Sequence, residues 1–95
     1  MPVYAVFTHE ETHDPEEMAA YSAAVGKTFD PYPAKVIAAY GTQDVLEGPA
    51  PEGVAIVEFP TMEDARAWYD SPEYQGIVQH RWRGSTYRAV IVQGQ

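Results

Sequence analysis

The chain has 95 residues, which is enough for one domain and too few for two. Its formal net charge of −8 disfavours nucleic acids and anionic membranes as partners, because both are bound through clustered Lys and Arg. The absence of cysteine excludes disulfides, thiolate nucleophiles and Cys-ligated zinc or iron–sulfur sites.

The start of the chain predicts neither a signal peptide nor a membrane anchor. It has no basic region before its first apolar run, and no run approaches the roughly 20 apolar residues of a transmembrane helix. We therefore expect a soluble cytoplasmic protein.

The first half of the chain predicts a strand, a helix and a second strand. Residues 3–9 are rich in β-branched and aromatic side chains, which favour a strand. Asp14 followed by Pro15 is typical of a helix start, and an apolar face continues to Phe29 before a Pro-Tyr-Pro break. Residues 34–40 predict the second strand, with a continuation through residues 42–48 as an option.

The second half predicts a strand, a broken helix and a final strand. Residues 54–59 are apolar except for Glu58 and follow a Gly- and Pro-rich turn, so they predict the third strand. Thr61 starts a helix, and Ser71 with Pro72 starts another, so the second helix is expected to be broken there. Residues 85–93 predict the last strand.

The predicted order is β-α-β-β-α-β, the ferredoxin-like pattern of the α+β class. It implies a four-stranded antiparallel sheet with its helices on one face, and a half-exposed sheet would alternate apolar and polar residues. These strands are apolar at successive positions, as in residues 3–7, 54–57 and 89–92. We therefore expect the open sheet face to be covered by a second copy of the chain in a homodimer.

Residues 45–75 also resemble a known family, the domain-of-unknown-function 1330 family. The matching positions run in order through the segment: Glu58, Phe59, Pro60, Ala65, Arg66, Ala67, Trp68, Tyr69, Ser71, Pro72, Glu73 and Tyr74. Asp14-Pro15-Glu16 is similar to the start of that family's first helix, and Gly94 to its terminal glycine.

The resemblance implies a ferredoxin-like subunit of a dimeric α/β barrel and leaves the activity open. The wider superfamily includes cofactor-free monooxygenases, a muconolactone isomerase, haem enzymes and stress-response proteins, so a reaction taken from it is fold analogy. One position departs from the family. In other members of that family a basic residue often precedes two glycines. Here Tyr40 occupies the position of the basic residue, and Thr42 replaces the second glycine. This disfavours an anion site at that point and favours an aromatic or neutral ligand.

Three residues are candidates for catalysis. Arg81 falls on the apolar face of the last helix, where a cation either reaches out to solvent, pairs with an acid or holds a substrate anion. His80 beside it has the right ordinary pKa for acid–base chemistry, although a surface histidine is the commoner case. Tyr40 is a candidate donor to a developing oxyanion, or an ordinary strand aromatic.

Several aromatic residues are candidates for a ligand pocket, although such residues more often simply form the core. They are Tyr21, Trp68, Tyr69, Tyr74 and Trp82. His9 and His13 suggest a metal site, but a strand end and a helix cap do not fix both rings on one side. We expect a solvated acidic loop there, and neither a metal nor a cofactor.

The sequence leaves three functions open. The favoured one is a small cofactor-free enzyme that isomerises, cyclises or oxygenates an aromatic or apolar substrate with a carbonyl or carboxylate. The alternatives are a non-catalytic small-molecule-binding or accessory protein, and a dimeric interaction module. No phosphate-binding loop, dinucleotide fingerprint or serine-hydrolase elbow is present.

Overall fold

The computed structural model describes all 95 residues, and its elements follow the predicted β-α-β-β-α-β order with a broken second helix. The elements are β1 (Val3–Thr12), α1 (Pro15–Val25), a 3₁₀ turn (Gly26–Phe29), β2 (Lys35–Ala39), β3 (Gly53–Phe59), α2 (Met62–Tyr69), α3 (Pro72–Gly84) and β4 (Ser85–Gln93).

The four strands form one antiparallel sheet in the order β2-β3-β1-β4. The central strand β1 pairs Phe7 with Ala55 of β3 and with Ala89 of β4. This order and connectivity are ferredoxin-like, so the predicted α+β fold class is confirmed.

One face of the sheet packs against the helices, and β1 shows this most clearly. Its alternate residues Val3, Ala5, Phe7 and His9 are buried, and those between them are half-buried, as the two-residue period of a strand requires. The rest of the core comes from the helices and β3: Met18, Tyr21, Val57, Phe59, Ala65, Trp68, Tyr74 and Val78.

The helix starts are capped as the sequence predicts. The Asp14 side chain accepts from two backbone N–H groups of the first turn of α1, and Thr61 accepts from the N–H of Asp64. Ser71 accepts from the N–H of Tyr74 and also donates to the carbonyl of Trp68. These bonds pair backbone donors that a helix start leaves free, and they fix the break between α2 and α3.

Three predicted boundaries are wrong. The strand β1 continues to Thr12 instead of ending at His9, and α1 gives way to a 3₁₀ turn after Val25. The strand β2 does not resume after Gly41, since residues 41–52 contain no strand. Tyr40 adopts a left-handed backbone conformation (φ 58°), which an extended chain does not tolerate, and Pro49 and Pro51 lack the N–H that a ladder needs.

The sheet face away from the helices has an apolar centre, with Thr8, Glu58 and Arg88 on the same face around it. Val6 at its centre pairs with Ile56 on one side and Val90 on the other, and Val90 and Val92 are both exposed. No element of the chain covers these side chains.

Candidate functional site

A cavity of about 450 Å³ lies between α1 with its 3₁₀ turn and the half of the sheet that contains β2 and β3. Small residues make the space: Ser22 and Gly26 on the helix side, and Ala39 and Ala55 on the sheet side. Aromatic rings close much of the rest, and this volume lies within the roughly 300–1,000 Å³ of small-molecule sites.

Trp68 forms the rigid end of the cavity. Its ring stacks on Phe29 with centroids 4.7 Å apart and meets Phe7 edge to face at 6.0 Å. Its indole N–H donates to the Thr28 hydroxyl at 2.9 Å. Because this N–H is satisfied and the side chain is buried, Trp68 is held as a fixed apolar wall.

Tyr40 and Tyr87 stand at the polar end, and their hydroxyls are hydrogen-bonded to each other. The backbone of Tyr40 is left-handed, a strained conformation for a bulky residue. Its ring lies flat over Gly53, where an added Cβ would overlap with it. The strained backbone and the bare glycine together hold the half-exposed Tyr40 ring at the edge of the cavity, with its hydroxyl against His9 and Tyr87.

His9 is the third member of this cluster. Its ring stacks on Tyr87 with centroids 4.4 Å apart, and its Nδ1 lies 2.6 Å from the Tyr40 hydroxyl. Burial lowers the pKa of His9, and the nearby positive charge of Arg81 acts in the same direction against an opposing effect of Glu52. The lowered pKa favours the neutral imidazole at pH 7, and its Nδ1 contacts the Tyr40 hydroxyl directly.

On its outer side His9 reaches two polar residues. Its Nε2 lies 2.9 Å from the hydroxyl of Thr12, which donates to Oε1 of Glu52 at 2.7 Å. The backbone N–H of Thr12 donates to the other oxygen of Glu52 at 2.6 Å, and these bonds lower the pKa of Glu52. The Glu52 N–H in turn donates to the His9 carbonyl at 2.7 Å.

Arg81 is buried behind this cluster, only 3% exposed. Its guanidinium carbon lies 4.7 Å from the centre of the Tyr87 ring and within 6 Å of the centres of the Phe7 and Tyr21 rings. It has no carboxylate partner, and its buried Nε makes no hydrogen bond. It thus does not reach solvent, and its charge faces three rings that border the cavity.

The tyrosines here are neutral at pH 7. Burial raises the pKa of Tyr21, Tyr74, Tyr87 and Tyr40, and the positive charge of Arg81 opposes this rise at each of them. The guanidinium therefore lowers the cost of placing a negative charge among these hydroxyls.

The structure brings Tyr40 to the cavity and Arg81 to the back of its wall, but it does not bring His80 there. His80 Nδ1 lies 2.6 Å from Oε2 of Glu17, on the side of α3 that faces α1. Arg83 approaches the same carboxylate at 3.3 Å, and hydrogen bonds from both residues lower the pKa of Glu17. Residues 80 and 81 diverge because successive helix positions differ by about 100°.

The predicted pocket aromatics fall in different places. Tyr21 and Trp68 line the cavity, whereas Tyr69 borders a separate groove beside α2. Tyr74 is fully buried, with its hydroxyl 2.8 Å from that of Tyr21, and so supports the wall from behind. Trp82 is 56% exposed and lies outside the cavity, so the structure does not bring this candidate to it.

The histidines near the end of β1 lie apart from each other. His13 Nε2 contacts the Thr86 hydroxyl at 2.6 Å, while His9 is buried against Tyr87. The expected solvated loop at His9 is wrong, because β1 continues through it. No group of three or more His, Asp or Glu side chains is placed to hold a metal ion.

Four residues of the cluster and of its hydrogen bonds toward the surface were not predicted as site residues: His9, Tyr87, Thr12 and Glu52. Only His9 carried a usable pattern, since it follows Val3, Ala5 and Phe7 at the two-residue spacing of a buried strand face. The others meet it through pairings between distant parts of the chain, such as His9 with Tyr87 and with Gly53.

The family model for a domain of unknown function, DUF1330, matches residues 2–95. The chain belongs to this family. The DUF1330 match confirms the resemblance carried by the central segment and the first helix start. No curated protein sequence matches the chain. None of its helices is long and apolar enough to cross a membrane.

Solved structures similar to this DUF1330 chain share its fold. A protein of unknown function from Rhodopseudomonas palustris is 22% identical, with a TM-score of 0.77 over 99% of this chain and 82% of its own. A dimeric ferredoxin-like protein of unknown function from Thermobifida fusca is 15% identical, with a TM-score of 0.69 over 99% of this chain and 92% of its own.

A third similar structure has a described activity. SnoaB, a cofactor-independent oxygenase from Streptomyces nogalater, is 14% identical, with a TM-score of 0.67 over 99% of this chain and 93% of its own. Identities this low establish a common fold and leave the chemistry to be argued from the site.

Proposed function

We propose that this protein is a small cofactor-free enzyme that removes a proton from carbon next to a carbonyl group of a flat, mostly apolar substrate. Proton removal of this kind is a first step shared by isomerisation, cyclisation and oxygenation. The observation that carries the proposal is the hydrogen-bonded cluster of His9, Tyr40 and Tyr87 at the polar end of an aromatic cavity.

The roles follow from the chemistry of the three groups. Tyr40 and Tyr87 both line the cavity, so we assign substrate contact to their hydroxyls and proton acceptance to the neutral His9 behind Tyr40. Arg81 offsets the negative charge that remains on the substrate oxygen, acting from behind the Tyr87 ring. This proposal moves the acid–base role from His80 to His9, because His80 pairs with Glu17 outside the cavity.

Binding is tested with four bicyclic probes by thermal shift: naphthalene, 2-naphthol, 1,4-naphthoquinone and 2-naphthoic acid. We expect 2-naphthol, whose hydroxyl can donate a hydrogen bond to a tyrosine oxygen, to stabilise the protein more than naphthalene does. Tyr40→Phe should remove that difference, while the matched control Tyr32→Phe, whose hydroxyl makes no hydrogen bond and lies outside the cavity, should keep it. Equal shifts with all four probes would contradict a polar end that recognises oxygen.

Catalysis is tested by hydrogen–deuterium exchange of 2-tetralone, a bicyclic ketone with an acidic C–H, in D₂O by proton NMR. We expect the wild-type protein to accelerate exchange over buffer, and Tyr40→Phe and His9→Gln to slow it by roughly 100-fold or more. Binding without any accelerated exchange would instead identify a small-molecule-binding or accessory protein.

We also propose that the protein is a homodimer joined through the open sheet face. The support is the apolar surface formed by the half-buried Val6 and Ile56 with the exposed Val90, together with the dimeric description of the Thermobifida fusca protein. Such a dimer would keep both cavities on the outer, helix-covered faces of the two sheets.

Light scattering after size-exclusion chromatography tests the dimer. The wild-type protein should have the mass of two chains, and Val90→Lys should have the mass of one. Trp82→Lys is the matched control, because it places the same charge at a similarly exposed apolar residue on the helix side. A wild-type monomer at low micromolar concentration would refute the proposed dimer.

A further inference from the structure

The hydrogen bonds around His9 form a continuous chain from the cavity to the surface. It runs from Tyr87 through Tyr40, His9 and Thr12 to Glu52, whose side chain is about half exposed. Each neighbouring pair is within hydrogen-bond distance, so the positions of the protons along the chain can be derived from its surface end.

The surface end fixes the direction. An ionised carboxylate accepts only, so the Thr12 hydroxyl donates its single proton to Glu52. The Thr12 oxygen is then an acceptor for His9, and Nε2 must carry the proton of the neutral imidazole. Nδ1 is left bare and accepts from the Tyr40 hydroxyl, whose oxygen in turn accepts from Tyr87.

A break in the regularity of β1 makes the chain possible. In a regular strand the side chains of residues 9 and 12 point to opposite faces. The pairing of β1 with β4 shifts between His9 and Glu11, with Glu10 as the extra residue of a bulge. Thr12 therefore opposes Ser85 on the face where His9 opposes Tyr87, and its hydroxyl meets the imidazole.

We propose that this chain of hydrogen bonds is a proton relay that carries the substrate's proton from the cavity to water. This inference rests on the proposed function, and it adds Thr12 and Glu52 as residues that act without touching the substrate. When a proton arrives on the Tyr87 oxygen, the Tyr87 proton moves to the Tyr40 oxygen and the Tyr40 proton moves to Nδ1 of His9. The proton on Nε2 of His9 then moves to the Thr12 oxygen. The Thr12 proton passes to Glu52 and then to water.

The step is balanced. One C–H bond of the substrate breaks, its electron pair stays on the substrate as an enolate, and one proton is released to water. Nothing is oxidised or reduced, and every relay residue regains its proton count once the bonds return to their original directions. The bonds from Thr12 that lower the pKa of Glu52 favour rapid release of the last proton.

The first test reads the relay without any ligand, from the His9 tautomer in nitrogen-15 NMR spectra of the full chain. We expect the Nε2–H tautomer in the wild-type protein and in Thr12→Ser, which keeps the hydroxyl. Thr12→Val keeps the shape but cannot accept from Nε2, and should lose the single tautomer. A wild-type His9 protonated at Nδ1 would overturn the direction derived above.

The second test uses 2-tetralone exchange. Thr12→Val should lower kcat about tenfold or more with KM nearly unchanged, and Thr12→Ser should restore it. Glu52→Gln should also lower kcat, since an amide does not take up the proton. If Thr12→Val accelerates the exchange of 2-tetralone as much as Thr12→Ser does, the relay is refuted. If the wild-type protein does not accelerate this exchange, the proposed function is refuted, and the His9 tautomer then decides the relay.

Discussion

Replacing Gly53 by alanine should destabilise the protein through one neighbour, the ring of Tyr40. A Cβ on Gly53 would lie 2.8 Å from Cγ of that ring and closer still to Cδ2 and Cε2, while ordinary contact begins at 3.4 Å. The ring must therefore move by at least 0.6 Å at Cγ, from 2.8 to 3.4 Å. The movement grows toward the hydroxyl, which then leaves His9 and Tyr87.

The cost can be bounded. Overpacking, or the loss of the Tyr40 bond to a buried His9, costs about 1–3 kcal/mol. Alanine returns about 0.4–1 kcal/mol by restricting the unfolded chain. The free energy of unfolding should therefore fall by up to about 2.6 kcal/mol, which for a domain of this size lowers Tm by up to roughly 20 °C.

Thermal unfolding followed by circular dichroism, at one protein concentration, measures this change. Gly76→Ala is the control, because nothing lies near its Cβ on the exposed side of α3, and it should stabilise by about 0.5–1 kcal/mol. In a Tyr40→Ala background Gly53→Ala should become neutral or stabilising. If it costs as much there as in the wild-type protein, the Tyr40 ring is not the cause.

Three further predictions concern single side chains. Arg81→Met should leave the free energy of unfolding unchanged or raise it by up to about 2 kcal/mol, because Arg81 is a buried cation without a carboxylate partner. A large decrease in the free energy of unfolding, measured by urea denaturation, would contradict this. Ser71→Ala should cost about 1 kcal/mol in the same assay through its lost cap, and no change would contradict the capping role. The pKa of His9 is lower in the folded protein than in the unfolded chain, so the unfolded chain binds the proton more readily. The free energy of unfolding should therefore decline as the pH falls below 6.5, the ordinary pKa of histidine, by at most about 1.4 kcal/mol per pH unit. His9→Gln should flatten that decline, and an unchanged slope would show that another group causes it.

The fold was predictable because its determinants are local. Asp14, Thr61 and Ser71 each mark a helix start within four residues of sequence. The strand segments between these helices then give the β-α-β-β-α-β order, for which the ferredoxin-like sheet is the common arrangement. The error after Gly41 has a cause that composition does not display. Val45 and Leu46 give residues 42–48 some strand character, but the left-handed turn at Tyr40 directs them away from the sheet edge.

The site was only partly predictable, because its contacts join residues far apart in the sequence. Tyr40 and Arg81 could be selected as candidates from their types and positions. The contact of Tyr40 with His9, however, depends on the sheet register and on a bare Gly53. On α3 hydrophobicity alone is misleading, since Arg81 is buried and the neighbouring Trp82 is exposed.

The positions of the two tryptophans give this protein a built-in optical reporter. Trp68 forms part of the cavity wall, and Trp82 is exposed on the outer surface of α3. Trp82→Phe would leave one tryptophan in the chain, stacked on Phe29 and bordering the ligand space. Any aromatic molecule that fills the cavity must lie beside that indole, so its arrival can be followed by fluorescence in an unlabelled protein.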